Sequence, residues 1–150
     1  MNIWFGYLEK FDGRVFTKYG DIPFIHWDKY ERNRLDAYVE RFGDRDGLAA
    51  RVRRNLVDLR VALEEALVLP INSYSLKVVE KYIGYKRSLE EFGTNWSIRQ
   101  YVTARDTEHN SLRASVMSVL LVYNKEDLEA MWHTLVWAKQ RSCELAAAAA

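Results

Sequence analysis

Tyr123 and Asp127 are the residues whose types and spacing most readily do chemistry. They bound the run Tyr123-Asn124-Lys125-Glu126-Asp127, which reads as the opening of a last helical segment, Asp127 to Arg141. Four residues apart on a helix, a phenol and a carboxylate project from one face about one turn from each other. Such a pair can hold a metal ion and place a water. The plainer reading is that acids in a first helical turn are favoured by the helix dipole and that a tyrosine at a helix mouth is packing. Behind the pair, Leu128, Met131, Trp132, Leu135 and Val136 recur at helical spacing, which predicts an apolar stripe pressed into a core.

The elements that must position this pair follow from the pattern upstream. Residues 2–9 are dense in aromatic and branched residues, and Asp12-Gly13 is a hairpin signal before Arg14 to Tyr19. Two antiparallel strands are expected there, and a third, short one over Pro23 to Trp27. The apolar spacing then turns helical from Lys29 to Phe42, with Gly43 as the stop. Asp44 to Asn55 predicts a second helix whose Arg45, Arg51, Arg53 and Arg54 form a basic face. Such a face is usually solvated surface, although clustered arginines also meet phosphates. Leu56 to Leu59 reads as a short strand or a helix start, and Arg60 to Leu67 as helix. Ser73 or Ser75 can cap a helix over Leu76 to Ile83 that stops at Gly84. Lys77 falls in its first turn, the unfavourable end for a cation, which hints at use on an anion. After a linker from Lys86 to Asn95, helices are expected at 96–105 and 109–122, the latter apolar nearly all round. Strands first and helices after predict an α+β or three-layer fold with a mostly antiparallel opening sheet.

The chain has 150 residues, enough for one domain, taken here as residues 1–143 followed by a low-complexity tail at 144–150. With 22 basic and 21 acidic residues there is no global field to attract or repel nucleic acid. The single Cys143 excludes an internal disulfide and a cysteine metal framework, and a reducing, cytoplasmic setting fits. No apolar run reaches the roughly 18 residues of a membrane span.

Three groups in order then carry a resemblance: Tyr30-Glu31 opening the helix after His26-Trp27, the run Ser73-Tyr74-Ser75-Leu76-Lys77, and Tyr123-x-x-x-Asp127. Over residues 2–141 the chain resembles the RNase H-like 3'-5' exonuclease domain found beside RecB-type nucleases, which is similar to the tyrosine-containing DEDD exonucleases. The resemblance implies an RNase H-like mixed sheet flanked by helices, and hydrolysis of single-stranded DNA or RNA ends with divalent magnesium or manganese. It implies that Asp127 and Glu31 bind metal, that Tyr123 orients the attacking water, and that His26 and Lys77 lie near substrate. His26 also reads as a strand-end histidine satisfied by backbone. The family's first motif, Asp-x-Glu on an opening strand, has no counterpart, because residues 2–9 read as the second strand. A weakly held metal is therefore expected. The rival expectation is a catalytically inactive domain that binds nucleic acid or scaffolds a helicase or nuclease partner. An uncovered sheet edge predicts self-association.

Overall fold

The computed structural model describes residues 15–44, 46–89 and 93–148. In chain order the elements are β1 (Phe24–His26), α1 (Tyr30–Phe42), α2 (Leu48–Arg54), β2 (Leu56–Asp58), α3 (Leu59–Ala66), α4 (Leu76–Tyr82), α5 (Thr94–Asp106) and α6 (Asn110–Ala148). They fall into two compact units, Met1–Glu65 and Ala66–Ala150.

In the first unit β1 and β2 pair in parallel, with Phe24 opposite Leu56 and His26 opposite Asp58. Parallel pairing requires a crossover, and α1 and α2 supply it by returning the chain to the start of the sheet. The expected antiparallel opening is corrected here: among the described residues the sheet is parallel and the fold is rich in helix. Residues 15–19, read as a hairpin arm, are helical. The reason lies in a single anchor. Phe16 is buried, meets Phe24 edge-on at 5.5 Å and carries the Arg51 guanidinium 4.0 Å above its ring. One helical turn seats that residue against β1. The expected strand at 2–9 and its turn lie outside the described residues.

α1 begins and ends where the periodicity placed it. Gly43, at φ +76° and ψ 175°, takes a positive-φ conformation open to glycine that closes the helix, and its N–H donates to the Val39 carbonyl. Asp44 then accepts the N–H groups of Ala49 and Ala50 at 2.9 Å each, so its side chain satisfies donors in the first turn of α2.

In the second unit α4 and α5 pack on α6. The two helices expected at 109–122 and 127–141 are one unbroken helix of 39 residues, about 58 Å long at the usual rise. Neither proline nor glycine occurs in it. The polar run Asn124 to Asp127, which read as a helix start, is interior, and its acids are taken up by tertiary partners. The buried line is also rotated from the expected stripe. Leu120, Tyr123, Glu126, Ala130, Met131 and Thr134 are buried, whereas Leu128 and Trp132 are 63% and 65% exposed. Small Ala130 and Thr134, both at 0% exposure, allow close approach of neighbouring elements, and the Thr134 hydroxyl is satisfied by donating to the Ala130 carbonyl at 2.8 Å. Residues 109–122 are mostly exposed, with Leu120 as the buried member.

Candidate functional site

The second unit places three predicted residues together: Lys77, Tyr123 and Asp127. Lys77 sits one residue into α4, after Ser75, which occupies the N-cap position without a side-chain bond. Its ammonium donates to Asp127 Oδ1 at 2.6 Å. The same oxygen accepts from Arg87 Nη2, also at 2.6 Å. Arg87 meanwhile grips Glu80 with both arms, Nε to Oε1 at 2.8 Å and Nη2 to Oε2 at 2.7 Å. That fork-to-fork geometry is the strong form of a charge-assisted pair. The side chains of Arg87 and Glu80 are each 2% exposed, against 30% and 29% for Lys77 and Asp127. Two acids and two bases thus form a neutral chain that runs from the interior to the surface.

Tyr123 lies beneath this chain. Lys77 Nζ stands 4.8 Å from its ring centroid and Arg87 Cζ 5.7 Å, while Trp96 packs against it at 5.7 Å. Burial, reinforced by the negative charge of Asp127, pushes the Tyr123 phenol up to about 12. At neutral pH it is therefore a hydrogen-bond donor and not a base. Burial lowers the pKa of Lys77, with Asp127 opposing. Burial also works against the charge of Arg87, but its bonds to Glu80 and Asp127 outweigh that and hold it above its ordinary range.

The segment carrying Arg87 is fixed by its neighbours. Gly84, at φ +84°, turns the chain out of α4. Tyr85 donates its hydroxyl to Glu129 Oε2 at 3.2 Å, and burial together with that carboxylate pushes its phenol up to about 12. Glu126 Oε1 accepts both the N–H and the hydroxyl of Ser88 at 2.6 Å. Burial opposes ionisation of Glu126, yet the Ser88 bonds and the nearby Arg87 hold its carboxyl below the usual range. Residues 85–88 are thereby laid along α6, and Arg87 is aimed at Asp127.

The first unit brings His26 and Glu31 together at the carboxyl ends of its parallel strands, where open α/β sheets commonly bind ligands. His26 is buried, and its Nδ1 lies 3.8 Å from Glu31 Oε2, too far for a hydrogen bond. Asp28, at φ +63°, donates its N–H to Asp58 Oδ1 at 3.1 Å and accepts from Arg60 at 2.8 Å. Asp58 also accepts the N–H groups of Arg60 and Val61, which makes it the N-cap of α3. The predicted residues therefore fall into two groups, His26 with Glu31 in one unit and Lys77, Tyr123 and Asp127 in the other.

A hard divalent ion needs several oxygen ligands free to face it. In the second unit Asp127 Oδ1 already faces two cations and both oxygens of Glu80 are held by Arg87. Among the described residues no group of three histidine, cysteine or acidic side chains could hold a metal. The second-unit cluster does not fit a divalent ion. Of the expected basic face of α2, Arg51 pairs with Asp21 at 2.6 Å and Arg53 with Asp36 at 3.1 Å, while Arg45 lies outside the described residues.

A family model described as RNase H superfamily matches residues 6–139. The chain belongs to the RNase H superfamily. This is a nuclease-type domain associated with nucleic acid, and the match spans residues of both compact units. No curated protein and no solved structure matched the chain. Among the described residues no helix is long and apolar enough to cross a membrane. Reading the sequence missed Glu80, Arg87, Ser88 and Glu126. Glu80 carried a usable signal, because it falls beside Val79 on a helix face that also needs Leu76 and Ile83. An acid there requires a buried cation.

Proposed function

We propose that this RNase H-superfamily chain is a nucleic-acid-engaging domain in which Asp127 anchors Lys77 and Arg87 and does not serve as ligand to a catalytic metal. The observation that carries this is the shared Oδ1, which accepts from both cations at 2.6 Å. Superfamily membership supplies the nucleic acid. Lys77 is the partly exposed cation, and it is the member of the cluster within reach of a phosphate. Binding measured by anisotropy of a labelled single strand should persist in chelator and weaken with salt, with no shortening of the strand on a gel. Shortening that depends on magnesium or manganese, and that Asp127→Ala abolishes, would overturn this reading.

That outcome favours a second reading, supported by Tyr123 and Asp127 lying one turn apart on α6. It is the tyrosine-type DEDD 3'-5' exonuclease of the RecB-associated group. Asp127 and Glu31 would then be its metal-binding acids, Tyr123 would be near the attacking water and His26 near substrate. A helicase or nuclease partner, self-association along the sheet edge and a cytoplasmic location belong to this wider reading. Pull-down, sedimentation and fractionation test them in turn.

A further inference from the structure

On the side of α6 reached by α4 and the segment that leaves it, aromatic rings meet in two pairs. Trp137 takes Tyr82 edge-on with centroids 5.9 Å apart, and His133 takes Tyr85 at 5.1 Å. Positions 133 and 137 are one turn apart on the same helix face, so the two pairs stand side by side along α6. Neither pair is closed over: Tyr82 is 44% exposed, His133 is exposed, and Tyr85 and Trp137 are half-buried.

Cations border these rings. The Arg141 guanidinium lies 5.9 Å from the Trp137 centroid. Lys81 is exposed in the last turn of α4, and Lys86 is exposed next to Tyr85 in the chain. The acids nearby already have partners: Glu80 is held by Arg87, Glu129 by Tyr85 and Lys125, and Glu144 by Arg141. Accessible rings beside ammonium groups are the combination by which single-stranded nucleic acid is held without regard to sequence, bases on the rings and phosphates on the cations. An apolar partner would gain nothing from Lys81 and Lys86, and a duplex keeps its base faces inside the stack. We infer, resting on the nucleic-acid reading just given, that Tyr82 and Trp137, with Tyr85 and His133 beside them, form a stacking platform for the bases of a single strand whose phosphates are met by Lys81 and Lys86.

The test compares two labelled strands of equal length and charge, one bearing bases and one abasic throughout, titrated into the whole chain in chelator and followed by anisotropy. The native protein should bind the base-bearing strand at least about fivefold more tightly. Tyr82→Leu keeps apolar bulk against Trp137 and removes the π face, so it should bring that ratio toward one while abasic binding holds; Tyr82→Phe should keep the ratio. Lys81→Ala should weaken both strands alike and flatten the salt dependence. Trp132→Ala, at a position 65% exposed and about 100° round the helix from His133, should leave the ratio unchanged. Photo-crosslinking of the native protein to a strand carrying iodouracil needs no variant to fold, and the crosslinked peptides should carry Tyr82 or Trp137. Equal binding of the two strands by native protein, a ratio unmoved in folded Tyr82→Leu, or crosslinks confined to Trp132 would overturn the inference and leave the nucleic-acid reading standing. Failure to bind either strand would sink both.

Discussion

The two units use the same residue types to opposite effect. In the first, Arg51–Asp21, Arg53–Asp36 and Arg60–Asp28 are pairs with both members more than a third exposed. In the second, Arg87 and Glu80 form a pair at 2% exposure, extended to Asp127 and Lys77. Exposed pairs are screened and contribute little, whereas a buried pair leaves an uncompensated charge when one partner is removed. An arginine beside a carboxylate is thus surface decoration in one place and a structural requirement in the other, and burial decides which.

Substitutions break or sharpen this contrast in a definite order. Arg87→Met should cost the most, about 3–5 kcal/mol in denaturant unfolding, because it strands Glu80. A cost below that of an exposed pair would erase the difference between the units. Glu126→Gln follows, at about 1–3 kcal/mol, since it weakens the acceptor for both Ser88 donors. Its pH dependence has a definite sign. The folded carboxyl is held below the ordinary 4.5, so its contribution is present above that value and is lost as pH falls through the lower folded value. Stability curves of native protein and Glu126→Gln should therefore converge in acid. In the first unit Asp58→Ala should cost about 0.5–2 kcal/mol through the lost cap of α3, with helix content as a second readout. Arg53→Ala should be the smallest, within ~1 kcal/mol, and indistinguishable from native at high salt.

The legibility of the sequence differed between the units for physical reasons. β1 and α1 were readable because local periodicity and Gly43 specify them, whereas Leu56 to Leu59 read equally as a strand or a helix start and is a strand over Leu56–Asp58. Parallel pairing was not, since it depends on where a crossover returns and no local pattern encodes that. In the second unit α4 and its Gly84 stop were readable, and the hint that Lys77 serves an anion was answered by Asp127 within the chain itself. The continuity of α6 was missed because Asn124 to Asp127 carry the letters of a helix start. Their acids are instead held by Ser88, Lys77 and Arg87, from 38 to 50 residues away. The segment 86–89 read as linker for the same reason: Arg87 and Ser88 bond to Asp127 and Glu126, 40 and 38 residues away.

The most direct test is a manganese-soaked crystal of the native chain examined for anomalous scattering. The account predicts Lys77 and Arg87 both on Asp127 Oδ1, with no anomalous peak at coordination distance from that carboxylate. An anomalous peak on Asp127, with the Lys77 ammonium displaced, would contradict it.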